Sequence, residues 1–485
     1  MGYFPIKCIR CSEILTNKTV LFDTEDTTQD MSDMTTSEED APAASGNTPA
    51  AAVKERSKKV SMWDDDDEDE EVSVNEVVND TVVMKRYMTC EEIEKYSEQN
   101  NLKKCVRYHQ HVDVTPDFLD RSNGDEDLLI GVSLQKKQGA PLNRASKRFC
   151  PNCKCELPRL SGSMPTYNIT VMGTSASGKT VYLSALNWLL SQHQGNLPYS
   201  SSLTCISANR ANEDFVSKSN QLFENGVLPE TTQVLLTDPL VVQMTYNLKN
   251  KMKKCLLAIS DMRGEDLVDM DGANLQARGK LFSSADAFMV LVSPLNMPYI
   301  CNNLPNEEGA VANSAIHQRL MANINDYILP NFTNGVINRP TVIMMSKCDV
   351  LMNNAQTLMI PPSNAVVAAE PPIKFTGTYF KSQDGGSQTI MRCDPALYSF
   401  FLNTFKNKYF TSFSSLGRNV IIEKDENGDK NIQNPNQIKP IRVIDPIIYI
   451  LICLGFLPEF NKMEVGDRFN QSNVEILSRW IEERT

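Results

Sequence analysis

No apolar run in this 485-residue chain is long enough to cross a bilayer. The longest, residues 447–457, falls well short of the roughly 20 residues a spanning helix needs and reads as a buried helix. Histidine is scarce (4), and basic residues do not outnumber acidic ones: 48 Lys and Arg against 60 Asp and Glu, a net charge of −12. That balance argues against broad binding to nucleic acid or to an anionic membrane. Much of the excess is local, because residues 64–71 are all acidic. The first residues carry no apolar stretch of the secretory kind, and Ile6 stands where a myristoylation signal needs Ser or Thr. The 13 cysteines are scattered and odd in number, which fits a reducing, cytoplasmic compartment better than a disulfide framework.

What is present is enough apolar residue (41%) for a substantial core and length for two to three domains. Residues 1–22 hold a first cysteine pair. Residues 23–72 are rich in Thr, Ser, Asp, Glu, Ala and Pro and are expected to be a disordered acidic linker. Residues 73–148 read as an insertion without an assigned role, with a short helix at 91–99 and a strand at 128–134. Residues 149–165 hold a second cysteine pair, and from 166 to 485 strands and helices alternate. Runs 240–246 and 255–260, joined by the polar turn 247–254, predict an antiparallel hairpin. Runs 287–292 and 341–345 predict buried parallel strands, and 409–413 a last strand. Asp394-Pro395 opens a helix to about residue 406, and Asp445-Pro446 opens the terminal apolar helix in the same manner. Residues 351–393, with paired prolines and Gly385-Gly386, predict an insertion of little regular structure.

The most informative segment is Gly173-Thr174-Ser175-Ala176-Ser177-Gly178-Lys179-Thr180, preceded by a β-rich run and followed by a helical one at 181–190. This is G-x-x-x-x-G-K-[ST]. The glycines permit a loop whose N–H groups converge on phosphate oxygens, and Lys179 reaches the β- and γ-phosphates. Thr180 offers a hydroxyl to Mg²⁺, and the helix N-terminus adds positive potential. The bland alternative is a glycine-rich surface turn.

A nucleoside triphosphate site next needs a carboxylate that holds Mg²⁺ through water and a backbone N–H that senses the γ-phosphate. D-x-x-G supplies both. It occurs at Asp261/Gly264, Asp269/Gly272 and Asp425/Gly428, but only Asp261 directly follows a strand-like run. Guanine presents N1–H and an exocyclic amino group side by side, and one carboxylate can accept both. Ser346-Lys347-Cys348-Asp349 is the one [NST]-K-x-D match; it would aim Asp349 at the base with the Lys347 stem over the ring. Ser414-Ser415-Leu416-Gly417 follows the last strand, where backbone N–H groups of Ser415 and Leu416 could meet the guanine O6.

In this order the motifs resemble the translation-factor-like (TRAFAC) class of P-loop GTPases. They are also similar to the zinc-ribbon-bearing double-GTPase families of bacterial conflict systems, over about residues 149–457. In the latter the switch reads like Asp261-Met-Arg-Gly264-Glu265-Asp and the tail like Arg442-Val-Ile-Asp445-Pro446. The resemblance implies an α/β fold: a P-loop NTPase-type doubly wound, mostly parallel sheet with one antiparallel edge hairpin, plus a small N-terminal zinc ribbon. It implies GTP/GDP and Mg²⁺ as ligands, and a switch-I threonine, Thr231 or Thr232, capping Mg²⁺. The state of the nucleotide would be read by a protein effector or regulator. Two departures matter. Ser346 stands where Asn is commoner, and Glu265 where many hydrolysing relatives carry Gln to orient water, so slow intrinsic hydrolysis is expected. Arg263 or Arg278 could supply compensating charge, though each also reads as a surface arginine.

Cys8-Ile-Arg-Cys11 and Cys150-Pro-Asn-Cys153 are C-x-x-C pairs. Two such knuckles complete a Cys₄ site for structural Zn²⁺, and the long intervening loop is tolerable because closure entropy grows only logarithmically. Cys155 could stand in as a ligand. Cys90, Cys105, His109 and His111 are an irregularly spaced alternative for a second metal, and a redox pair is the competing reading of each C-x-x-C. The acidic run 64–71 is a solvated tail or, with Trp63, a docking peptide. Alternatives to a GTPase switch are a non-hydrolysing nucleotide-bound scaffold, a P-loop ATPase and a zinc-ribbon nucleic-acid binder.

Overall fold

Eight consecutive residues, Thr166–Gly173, are buried throughout, as a strand covered on both faces must be, and they form the centre of the main sheet. The computed structural model describes residues 2–25, 28–29, 83–114, 123–174, 177–192, 203–207, 212–229, 239–248, 251–261, 279, 282–305, 307, 314–359, 387, 389–418, 420–424 and 430–457. The chain divides into two compact units: Met1–Leu21, His109–Ile130 and Lys147–Thr485 make one, Phe22–Tyr108 and Gly131–Ser146 the other.

In the first unit the strands are β1 (Thr166–Gly173), β2 (Leu203–Ser207), β3 (Leu240–Leu248), β4 (Lys251–Asp261), β5 (Ala287–Val292), β6 (Thr341–Met345) and β7 (Lys408–Ser412). They lie in the order β2-β3-β4-β1-β5-β6-β7. From β4 to β7 each neighbouring pair is parallel, whereas β3 is antiparallel to both β2 and β4. The expected hairpin is thus present, with two corrections. Its strands run on to Leu248 and from Lys251, so the polar residues expected as a turn mostly belong to strands. Lys254 and Met252 are exposed there, so these outer positions face water and do not need to be apolar. Nor is the hairpin the edge of the sheet, because β2 pairs outside it, Ser207 opposite Val242.

Alternation within each parallel strand builds two cores. Ala287, Met289 and Leu291 of β5 and Val342 and Met344 of β6 enter one face; Phe288, Val290, Val292, Ile343 and Met345 enter the other. The helices α1 (Lys179–Gln192), α2 (Asn212–Asn225) and α5 (Asp445–Cys453) cover the first face. The second is covered by α3 (Ser314–Asn323) and α4 (Pro395–Thr404). Helices on both faces of a mostly parallel sheet make this an α/β fold. Trp188 of α1 stacks on Phe223 of α2 with ring centroids 4.8 Å apart, and buried Asn187 donates to Ser219 across the same contact at 3.0 Å. Part of the segment expected to be irregular is helical, in Cys348–Asn353 and again at 389–393, while 360–386 lies outside the described residues.

The two Asp-Pro helix starts differ. Asp394 caps α4 by accepting from Leu397 N at 3.1 Å, as its sequence predicts. Asp445 instead lies inside α5, and its carboxylate accepts from Arg442 Nε at 2.8 Å with both side chains fully buried. A guanidinium fixed in the core takes the aspartate away from capping duty.

In the second unit, helix Cys90–Gln99 begins with a reciprocal capping box: Glu92 N donates to Thr89 Oγ1 and Thr89 N to Glu92 Oε2. Strand residues Val132 and Gln135 pair antiparallel with Ala145 and Leu142. Arg144 stacks 4.1 Å over the Tyr108 ring, whose hydroxyl meets Ser133 Oγ at 2.9 Å. Of the expected linker, Asp23 and Thr24 are buried, and Asp23 pairs with Arg86 at 3.3 Å. The acidic run 64–71 lies outside the described residues.

Removing one partner of the Arg442–Asp445 pair leaves an uncompensated buried charge. Asp445→Ala should therefore lower unfolding free energy by about 3–5 kcal/mol in urea titration. A double variant that combines Arg442→Met with Asp445→Leu should cost far less; equal losses in the two variants would show that the charge is not the cause.

Candidate functional site

The strand order places a switch point at β1: the chain leaves it toward β4 on one side and β5 on the other. In such sheets the crevice beyond the carboxyl ends of the strands is where ligands sit. Here those ends are level. Gly173 pairs with Leu291, Val292 with Met345, and Met345 with Ser412. Asp261, the last residue of β4, pairs with Val171, two residues before Gly173.

Gly173 packs so closely on β5 that a Cβ would stand 2.5 Å from Leu291 O, and Gly178 has φ +85°. Neither position tolerates another residue without strain. Between them Ser177 N donates to Thr174 O at 3.2 Å, and α1 begins at Lys179. Lys179 Nζ turns back along the loop to the carbonyls of Gly173 and Thr174, at 3.2 and 3.1 Å. Thr174 Oγ1 and Ser177 Oγ are buried without a protein partner among the described residues. Thr180 stands half-buried in the first turn of α1.

Beyond β6, Ser346 N and Oγ both donate to Val292 O, at 3.0 and 3.3 Å, bracing the turn on β5. Lys347 then takes the left-handed conformation (φ +49°), uncommon for a residue with a side chain, and starts Cys348–Asn353. Cys348 N donates to Phe413 O, which locks this turn to the one after β7. Burial raises the Asp349 carboxyl above the usual carboxylate range, against the opposing effect of a hydrogen bond from Ser414. Ser414 was not among the residues singled out for contact with a base. Its Oγ also accepts from Gly417 N at 2.9 Å, so it orients both the carboxylate and the following turn. Gly417 (φ +93°) fits under Lys439 O, where a Cβ would come within 2.5 Å.

One cavity of about 560 Å³ joins these segments. Ser177, Gly178, Lys347, Asp349, Ser414, Ser415 and Leu416 all line it. Ser293 and Asn296 after β5, Glu307, Leu228, Arg418 and Lys430 also face it and were missed, because they belong to no recurring motif. The Gly178 end of the cavity, with the N-terminus of α1 and the orphaned Ser177 hydroxyl, suits an anion, and the Asp349 end suits a polar planar group; Lys179 and Thr174 stand beside the cavity and not in its lining. Asp261 ends its strand at the same edge. Ser175, Ala176, Thr231, Thr232, Arg263, Gly264, Glu265 and Arg278 lie outside the described residues.

A second constellation is built from the cysteine pairs. The two loops repeat one pattern: Cys8 N donates to Glu13 O and Ser12 N to Cys8 O, as Cys150 N does to Cys155 O and Lys154 N to Cys150 O. Ser12 and Lys154 both have positive φ. Arg10 N and Cys11 N point at Cys8 Sγ. The four Sγ atoms lie within 4.8 Å of one another, with Cys8–Cys153 at 3.6 Å and Cys11–Cys150 at 3.5 Å. A tetrahedral ion with bonds of about 2.3 Å to sulfur spaces its ligands roughly 3.8 Å apart, so this cluster could hold one. Cys155 is outside the quartet, its Sγ donating to Glu156 O at 3.4 Å. The crowded thiols hold Cys11 down to about 7, through Cys150, while Cys11 pushes Cys8 up. A cation between them would remove that conflict.

The first knuckle is fastened to the sheet. Asn168 of β1 donates to Cys8 O (3.1 Å) and Ser12 Oγ (2.6 Å), and Lys7 pairs with Asp286, just before β5, at 2.6 Å. Of the alternative second site, Cys90 and Cys105 meet, joined by Glu94 and by neither histidine. Arg107 occupies both Glu94 oxygens, at 2.8 and 2.6 Å, which disfavours a further cation.

No family profile matches the chain, and no curated protein matches it. Among solved structures it is similar to Sup35 complexed with GMPPNP, at 11% identity and a TM-score of 0.22. That match covers 52% of this chain and 38% of the other, so it spans well under half of the Sup35 chain.

The thiol quartet generates a direct expectation. The reduced chain should take up one divalent soft-metal ion, and Cys150→Ser should lose it, measured by elemental analysis after gel filtration. Cys155→Ser should keep it. Full retention of metal by Cys150→Ser is the contrary result.

Proposed function

We propose that the chain is a Mg²⁺-dependent GTP-binding molecular switch with slow intrinsic hydrolysis, which acts through a protein partner and carries a structural Zn²⁺ on Cys8, Cys11, Cys150 and Cys153. The observation that carries the reading is the single cavity lined by Ser177 and Gly178 at one end and by Lys347, Asp349, Ser414, Ser415 and Leu416 at the other. Motifs separated by more than 150 residues meet in the order a guanine nucleotide requires. Residues 173–180 would receive the phosphates on backbone N–H groups and Lys179, and the Asp349 carboxylate would accept both guanine donors. Thr180 and Asp261 are suited to hold Mg²⁺, with Thr231 or Thr232; the ion supplies charge for the β- and γ-phosphate oxygens. Gly264 would sense the γ-phosphate, and Glu265 in place of Gln is the reason for expecting slow turnover. The reading agrees with the resemblance of these motifs to the P-loop GTPases.

The zinc assignment rests on four thiolates, a donor set that closes a tetrahedron and leaves no open position for catalysis. A reducing, cytoplasmic setting, which would keep these thiols available, is part of the same proposal. Among the described residues no helix is long and apolar enough to cross a membrane.

Binding of GTP, ATP and xanthosine triphosphate to wild type and Asp349→Asn tests the base assignment. Wild type should prefer GTP, and the amide should weaken GTP by roughly 10- to 100-fold while favouring xanthine, since one charged hydrogen-bond pair is at stake. Equal wild-type affinity for GTP and ATP would sink the assignment and leave an ATPase. Single-turnover hydrolysis with Lys179→Ala as control separates a slow enzyme from a scaffold that never turns over.

Because burial raises the Asp349 pKa, the folded chain holds this proton at pH values where the unfolded chain has released it. Stability contributed by the protonated form is lost as pH rises through that window. Asp349→Asn should therefore be more stable than wild type at neutral pH without nucleotide, and lose that advantage below the carboxylate range. Thermal unfolding at several pH values measures it.

A further inference from the structure

The cavity has a wall that none of the motifs accounts for. After Gly417, β8 (Ile422–Lys424) and β9 (Lys430–Ile432) pair antiparallel, with Ile422 opposite Ile432. The excursion is fastened twice. At its base Lys439 N donates to Leu416 O at 2.8 Å, beside the proposed guanine contact. Along β9 it is zipped to the segment after α2: Ile432 N donates to Gly226 O at 2.7 Å, Leu228 N to Lys430 O at 3.3 Å, and Val227 bridges Asn431. Gly226 makes this approach possible. Its φ is +74°, and a Cβ there would stand 2.6 Å from Ile432 O. Ile432 is buried in the core beneath, whereas Ile422 is 40% exposed and lines the cavity with Leu228, Val420 and Lys430. Its neighbour Ile421, 56% exposed, does not line the cavity.

We propose that β8, β9 and Leu228 form a further part of the nucleotide site, a wall at the base-binding end, apolar at Ile422 and Leu228 and bearing Lys430, that sets how long a guanine nucleotide stays bound, with Gly226 as its positioning residue. The inference rests on the guanine-nucleotide reading above. A half-exposed isoleucine facing a cavity gains by covering the apolar face of a purine, as base-stacking side chains do elsewhere. The wall carries no catalytic group, so it should act on dissociation and leave the identity of the preferred base to Asp349. Both proposed contacts, Ile422 and Leu228, are held by backbone pairing and not by each other, so each can be altered singly.

The test is the dissociation rate of a fluorescent GDP analogue from the full chain, chased with unlabelled GDP. Ile422→Ser should speed release by about tenfold, the effect of losing one apolar contact in a binding pocket. Ile421→Ser should leave it unchanged, and the unfolding midpoint without nucleotide should not differ between the two. Gly226→Ala, which displaces β9, should speed release by at least as much as Ile422→Ser. Preference for GDP over ADP should persist in every variant. If the wild type binds the analogue and Ile422→Ser releases it no faster than Ile421→Ser, the wall is not part of the site, although the guanine reading stands. A wild type that binds no guanine nucleotide overturns both.

Discussion

Strand β1 is the constraint from which the rest of the first unit is positioned. It is buried along its whole length, so its only freedom is in what it touches at its two ends. Near the amino end Asn168 takes the backbone of the Cys8 knuckle and, through its own N–H, the carboxylate of Asp286. At the carboxyl end Gly173 lies against Leu291 with no room for a side chain. A strand fixed by contacts on both neighbours cannot slip by a residue without exchanging the side chains that enter its two cores. The loop that leaves Gly173 therefore starts from a backbone whose position is already determined.

Charge inside this fold is handled by geometry and not by solvent. Arg442 and Asp445 neutralise each other in the core, and Arg442 adopts φ +60° to make the contact. Arg148 has a different solution. It is buried, and its Nη2 donates to the carbonyls of Arg159 and Ser161 at 2.9 and 2.8 Å; burial lowers its pKa to about 10. Those carbonyls belong to the irregular chain between the second cysteine knuckle and β1, so one guanidinium organises a stretch that has no secondary structure of its own. Asp349 has a third arrangement: burial raises the cost of its charge, and a hydrogen bond from Ser414 and the nearby Lys347 oppose that cost in part.

Most of the sheet was legible in the sequence because parallel strands buried on both faces are short unbroken apolar runs. The runs 287–292 and 341–345 are strands with those bounds. The gathering of 177–178, 346–349 and 414–416 into one cavity was implied by their order. What could not be read was set by tertiary contact. β2 is five residues, too short for a periodicity to stand out, and it exists because β3 offers an open edge. Asp445 looked like a helix cap because the sequence does not show that Arg442 would be buried beside it. Ser414 and the wall built from Leu228 and Ile422 depend on which loops meet beyond the sheet, which local pattern does not encode.

The two constellations sit at opposite ends of the same strand, and that has an energetic consequence. A ligand bound only by the folded state stabilises everything that unfolds with it. A metal on the four thiols fixes Cys8 and Ser12, which hold Asn168; a ligand in the cleft fixes Gly173 and Lys179, five and eleven residues further along the chain. If β1 breathes as a unit, each occupant suppresses the opening that would release the other, and the coupling must be equal in both directions. No displacement of either site is required for this, only a shared strand that is more ordered when either end is loaded. A metal at the knuckle would then act on the cleft without touching it, by holding the amino end of β1.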